Sequence, residues 1–212
     1  MDLINYLAEN FYTKETLLEL SKVSRRQFDA WQNERIVPQA SYKLSINAEC
    51  QSFFGDHEET LQIEYYAKGY ISWLAIVQCN PTQAACYADF YQRYVAEVNR
   101  LAELGFVSDK AELNVEIDRH IESEWQHFLN GTYGLCTTTG LPEEIAAKEL
   151  AIAIINELLE DEIANESDLK TLANAVSLLD RASSSFAPHE RVRSTRFRLI
   201  DEVRRKYRLP AN

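Results

Sequence analysis

Glycine and proline are scarce in this chain, six and five among 212 residues, and they fall between periodic segments. That excludes collagen-like and low-complexity chains and fits helices joined by short turns. No stretch approaches the ~18 consecutive apolar residues of a membrane span. The opening MDLINYLAENFYTKE has neither a basic leader nor a cleavable apolar run. A cytoplasmic chain with no membrane partner is therefore expected. The four cysteines, Cys50, Cys79, Cys86 and Cys136, form no CxxC pair and have no histidine at zinc-ligand spacing. Neither a disulfide framework nor a structural metal is expected, and no cofactor is assigned.

Positive charge is also in short supply, and it is unevenly placed. Lysine and arginine number 22 against 33 acids, a net charge of −11. Residues 1–43 are balanced, residues 44–186 carry −16 and residues 187–212 carry +5. An acidic body repels nucleic acid at long range, so DNA binding would fall to a local patch or to an oligomer that turns its bodies away.

What the chain does have is helical periodicity. Tyr66, Tyr70, Trp73 and Val77 lie on one stripe, and Tyr87, Tyr91, Tyr94, Val98 and Leu101 on the next. Leu113, Ile117, Ile121 and Phe128 repeat the pattern, with Gly131 where a left-handed cap would stop it. Pro142-Glu143-Glu144 opens a helix that runs to about Asp161, and Ser167 can cap its successor, giving a helical hairpin. Burial is expected at Trp73, Tyr91, Ile121, Ile155 and Leu172. Only residues 42–54 alternate as a strand does, with Gly55-Asp56 marking a turn. The fold class is mainly α: a helix-turn-helix-like head at 1–40, a linker or short β-hairpin at 41–59, and a multi-helix body at 60–212.

Residues 11–38, FYTKETLLELSKVSRRQFDAWQNERIVP, read as two short helices around Lys22-Val23-Ser24, with Leu17, Leu20, Val23 and Phe28 as shared core. Thr13, Val23-Ser24, Trp31 and Ile36-Val37-Pro38 in this order resemble the DNA-binding head of the mercury-resistance-regulator (MerR) family. The resemblance implies that Arg25 and Arg26, at the start of the second helix, meet phosphate or guanine. The segment departs from that family at Asp29, where an arginine is usual, and at Glu34-Arg35. No heptad-patterned helix follows to supply a dimerisation coil. Over its full length the chain also resembles an uncharacterised bacterial family, through Phe11-Tyr12-Thr13, Glu64 to Tyr70 (EYYAKGY), Phe128 to Cys136 (FLNGTYGLC) and Phe186 to Arg191 (FAPHER). That resemblance implies an accessory role in natural-product biosynthesis and supplies no catalytic residues.

Two constellations could carry chemistry. Glu116, His120, Glu124 and His127 form one helical stripe, and Glu124-x-x-His127 is the pair used in di-iron bundles, where a second such pair is required and none occurs here. A solvated helix flank is the commoner meaning of such a stripe. The loop from Gly131 to Gly140 offers Thr132, Tyr133 and Cys136 as ligand contacts, although it lacks the ending of a phosphate loop. The rings of 65–94 are numerous enough to line a pocket for an apolar metabolite, and more often form plain core. The expected function is a non-enzymatic regulatory or adaptor protein whose head binds DNA or a protein partner, as a homodimer or alone. The alternative is an enzyme or accessory factor acting on a small metabolite near 131–140. A docked C-terminal helix from about His189 is also expected, its arginines pairing with the acidic body.

Overall fold

The computed structural model describes residues 2–160, 163 and 165–210; Asp161, the expected end of one helix, lies outside them. Among the described residues, helices α1 (Asp2–Asn10), α2 (Lys14–Ser21) and α3 (Arg25–Asn33) precede a long hairpin, with strand β1 (Phe11–Thr13) between the first two. The hairpin is β2 (Tyr42–Ser52) and β3 (Gly55–Ala67). The body follows as α4 (Tyr70–Cys79), α5 (Gln83–Glu103), α6 (Ile117–Leu129), α7 (Thr132–Cys136), α8 (Pro142–Glu160), α9 (Glu166–Ala182) and α10 (Glu202–Tyr207). No helix among the described residues is long and apolar enough to cross a membrane.

Helix boundaries follow capping chemistry. The Thr13 hydroxyl accepts from Thr16 N–H and the Ser24 hydroxyl from Gln27 N–H, fixing the starts of α2 and α3. Between them Lys22 adopts φ 57°, a left-handed stop that leaves a three-residue turn. Asn165, not Ser167, caps α9 by accepting from Asp168 N–H.

The expected fold class needs correction in two places. The short hairpin is instead part of a three-stranded antiparallel sheet in the order β1-β3-β2. Its long strands pair from Tyr42 opposite Tyr65 to Ser52 opposite Gly55, so the turn is Phe53-Phe54 and not Gly55-Asp56. Tyr65 and Tyr66 lie in β3, which ends at Ala67, and the helix expected to contain Tyr66 begins at Tyr70. Local alternation weakens after residue 55 because both faces of the hairpin there meet water, so no apolar pattern marks the second strand. The second correction concerns the head, which is no separate subdomain. Leu17, Val23, Phe28, Trp31 and Ile36 belong to one apolar cluster with Tyr70, Trp73, Phe90, Trp125 and Phe128 of the body. The Trp73 indole donates to the Ile36 carbonyl at 2.8 Å, and Gln39 N–H donates to the Leu129 carbonyl at 2.8 Å. A two-helix unit of this size exposes too much surface to stand alone, and the body's aromatic helices complete it.

A second cluster joins α8 and α9 to Leu101, Leu113 and the C-terminal segment; a third packs Tyr6, Leu7, Phe11, Tyr65 and Ala187 at the base of the sheet. Trp73, Ile121, Ile155 and Leu172 are buried as expected. Tyr91 is only half-buried, because α5 turns Cys86, Phe90 and Tyr94 inward and leaves Tyr91 to donate to Asp118 at 2.6 Å. At the C-terminus, Leu199, Ile200 and Val203 dock on the second cluster through a π-helical turn, Phe197–Asp201, whereas Val192 stays exposed. Arg196 and Arg204 both reach Asp180 of α9.

Candidate functional site

Four helices bring ionisable side chains together in the body. Residues four apart share a helix face, so α6 presents His120 and Glu124 side by side, His120 Nδ1 standing 3.8 Å from Glu124 Oε1. From α5, the Tyr94 hydroxyl shares a 3.0 Å hydrogen bond with His120 Nε2. From α8, the Lys148 ammonium donates to Glu149 Oε1 at 2.9 Å. From α7, the Tyr133 hydroxyl donates to the same carboxylate oxygen at 3.3 Å, and its ring lies 5.7 Å beneath Lys148. Cys136, on the same short helix, is close enough to feel Lys148 and both carboxylates.

Burial governs the charge states. Glu124 is 7% exposed and its Oε2 has no hydrogen-bond partner. Desolvation, with the Glu149 charge adding and Lys148 opposing, pushes its carboxyl up to about 8, so it is largely protonated at neutral pH. Burial also pushes the Cys136 thiol up to about 11, which leaves it a poor nucleophile. His120 is lowered by burial and is therefore neutral. For Lys148 burial acts downward, but Glu149, Cys136 and Glu124 outweigh it and the ammonium is held above its usual value. The arrangement is one buried cation among a carboxylate, a carboxylic acid, a thiol and two phenols. It can hold or share a proton and can pair with a small polar group; it provides no activated nucleophile.

The loop beside the cluster is tightly built. Gly131 takes φ 80° to pass from α6 into α7. A methyl group on Gly134 would meet Ser41 Oγ and, at 2.7 Å, the Tyr70 hydroxyl; one on Gly140 would meet the Tyr70 ring at 2.7 Å. The Ser184 hydroxyl donates to the Leu135 carbonyl at 2.7 Å. The segments EYYAKGY, FLNGTYGLC and the stretch leading into FAPHER thus meet around one junction. Their distinctive residues are explained there by close backbone approach.

The head and hairpin form the second surface of interest. Arg25 is exposed and pairs with Glu15 at 2.7 Å, while Lys14 pairs with Asp29 at 2.8 Å. Arg26 is exposed on the first turn of α3. Next to them the β2–β3 arm leaves the body: both of its faces are open to water over residues 49–62, and β1 covers β3 only at Tyr65 to Ala67. At its tip Phe53 and Phe54 are each 96% exposed and lie edge to face at 5.3 Å. Both keep negative φ, and Gly55, at φ 119°, takes the positive-φ position of the turn.

The sequence candidates therefore separate. Glu124, His120, Tyr133 and Cys136 converge. Glu116 instead faces Arg119 at 3.9 Å on the surface, His127 stacks edge-on against Tyr133 at 6.5 Å, and Thr132 is exposed. Among the described residues no group of three or more His, Cys, Asp or Glu side chains is arranged to hold a metal ion. The i, i+3 pair fails geometrically, because Glu124 turns inward to Lys148 while His127 lies toward α7. Sequence reasoning missed Lys148 and Glu149, and had Tyr94 only as one ring of an aromatic stripe. Lys148 had a signal: it is the single cation between Arg119 and Lys170, set in the apolar run AAKELAIAI.

These features define a mainly helical body built around a buried lysine-carboxylate cluster, with a small sheet that extends into an arm. A family profile described as "Family of unknown function (DUF6058)" matches residues 86–208, and the chain belongs to that family. The match covers the cluster and the docked C-terminus and leaves the head and arm outside it. No curated protein and no solved structure matches the chain.

Proposed function

We propose that this is a non-enzymatic regulatory or adaptor protein whose head and β2–β3 arm dock a protein partner. The exposed Phe53-Phe54 tip carries the reading. Two adjacent rings held in water at the end of a hydrogen-bonded arm are an unfavourable surface that a partner covers favourably. Protein is favoured over DNA by charge. Residues 44–63 hold Glu49, Asp56, Glu58 and Glu59 and no lysine or arginine, and Arg25 is already paired with Glu15. A role as an accessory to bacterial secondary metabolism is compatible with an adaptor, which needs no catalytic residues. Exposed free Cys50 and Cys79 suit a reducing cytoplasm.

A photoreactive phenylalanine placed at position 53 in cells tests this. A discrete protein adduct that is lost when Glu58→Lys and Glu59→Lys are added is expected. An Arg25- and Arg26-dependent shift of DNA fragments, with no protein adduct, would overturn the reading.

A second reading has its own observation. Glu124 Oε2 and the Lys148 ammonium have unused hydrogen-bonding capacity inside the body, which a small hydroxylated or carboxylated metabolite would meet. Mass spectrometry of the supernatant from denatured, purified protein decides this; a stoichiometric small molecule absent from a Lys148→Met variant supports it, and none in either sample rejects it.

A further inference from the structure

We propose that the arm's partner is a second copy of this chain, the Phe53-Phe54 tip of each copy entering the groove between α9 and the C-terminal end of α10 of the other. The inference rests on reading the arm as a protein-docking element. The groove has a volume of about 620 Å³, with Leu169, Ala173, Tyr207, Leu209 and Pro210 as its apolar lining. That is within the range of ~300–1,000 Å³ typical of clefts that bury an organic ligand, so it accommodates aromatic side chains. Its polar lining is Lys170, Arg208, Ser167 and Glu166, and the flanking last turn of α10 adds Arg205 and Lys206. Arg204 is committed to Asp180; Arg205 pairs with Glu202 at 3.3 Å but stays mostly exposed, and Lys206 rides over the Tyr207 ring at 4.9 Å.

Charge selects the pairing. The arm carries four carboxylates and no cation over residues 44–63, while residues 187–212 carry +5. Two arms laid edge to edge would set Glu49, Glu58 and Glu59 against their equivalents, which like-charge repulsion disfavours. Arm into groove instead brings opposite charges together around an apolar contact. The arm does not fill its own groove, since its rings are 96% exposed in the single chain. Reciprocal exchange satisfies both elements twice and closes as a two-fold dimer. Four rings at ~150–250 Å² each would bury ~600–1,000 Å² from the two tips, to which the grooves and the flanks of the arms add, against the ~1,200–2,000 Å² of a stable interface. The arm would thereby supply the dimerising element that no heptad-patterned helix provides.

Sedimentation velocity on the full chain tests the proposal. A dimer is expected that dissociates as salt rises, and Phe53→Asp with Phe54→Asp should give a monomer with an unchanged helical spectrum. Lys170→Glu with Arg208→Glu should do the same, and combining it with Glu58→Lys and Glu59→Lys should restore the dimer. Should the groove variant fail to fold, the crosslinker at position 53 in purified wild-type background provides the independent measurement: the adduct must map to residues 166–173 or 207–210 of another copy. A wild-type monomer at its highest soluble concentration, or a dimer that survives both arm and groove variants, overturns the proposal. A monomer whose arm still crosslinks a different protein in cells removes self-docking and leaves the adaptor reading; a monomer with no arm-dependent adduct removes both.

Discussion

Gly134 occupies a position where a single methyl group has no room. Its α-hydrogens face Ser41 Oγ and the Tyr70 hydroxyl, and Ala67 Cβ would lie 3.2 Å from an added carbon. Gly134→Ala is expected to destabilise by roughly 1–3 kcal/mol, because neither the buried tyrosine nor β3 can give way freely. An unchanged thermal melt would show that the junction relaxes. Glu124 makes a second residue-scale case, with the sign set by linkage. Its carboxyl titrates near 8 when folded and near 4.5 when unfolded, so the folded state holds the extra proton between those values. Stability contributed at this site is therefore full below about pH 4.5 and is lost as pH rises toward 8. Glu124→Gln keeps the shape and removes the titration. The variant should gain on the wild type as pH rises, by an amount on the order of a few kcal/mol at pH 8. Parallel denaturation curves for the two proteins across pH 5 to 8, roughly the span over which one unit is 1.4 kcal/mol of linkage, would contradict the assignment.

At the scale of elements, the arm and the C-terminal segment behave as opposites. The arm rests on little: residues 49–62 are exposed, and the sheet's buried base is Phe11, Tyr65, Tyr66 and Ala67. Replacing residues 47–60 with an Asn-Gly turn, which joins the paired Ile46 and Leu61, should leave the melting temperature unchanged. A large fall would mean that the arm packs on the body. The C-terminal segment is held by apolar docking and by Asp180, whose carboxyl is pushed up by burial but is held below its usual range overall by Arg204 and Arg196. Removing one partner of a fully buried pair costs ~3–5 kcal/mol. These side chains retain 15–17% exposure, so Asp180→Ala is expected to cost about 2–3 kcal/mol, a drop on the order of 5–10 °C in Tm. Acid should weaken the same contact, since its contribution is present above the unfolded value of 3.8 and disappears as pH falls through the lower folded value. A melt indifferent to the substitution would mean that the segment docks through Leu199, Ile200 and Val203 alone.

For the whole molecule, the −11 charge is distributed so that the basic C-terminus already serves the acidic body at Asp180. A DNA contact made by the head would rest on Arg25 and Arg26 beside an arm with four carboxylates. Wild-type protein is expected to leave DNA fragments unshifted even at low salt, where screening is weakest. Retardation that Arg25→Ala and Arg26→Ala abolish would restore the DNA-binding head and remove the preference for a protein partner.

Local chemistry makes several elements legible in the amino-acid sequence. Thr13 and Ser24 announce the starts of α2 and α3, Gly131 announces a reversal, and the 3.6-residue stripes place Trp73, Ile121, Ile155 and Leu172 inside. These depend on neighbours within a turn or two of helix. The candidate site is legible only in fragments, with His120 and Glu124 on one stripe and Tyr133 and Cys136 in a separate loop. Their convergence on Lys148 spans α6, α7 and α8, and no periodicity reports on which face of one helix meets which face of another. The same limit applies to β1, a three-residue strand whose existence depends on pairing with Tyr65 to Ala67 far along the chain. Sequence determined the helices and their caps because those interactions are local; tertiary structure decided the sheet, the shared core of the head and the charge state of Glu124, because burial and pairing are properties of distant segments brought together.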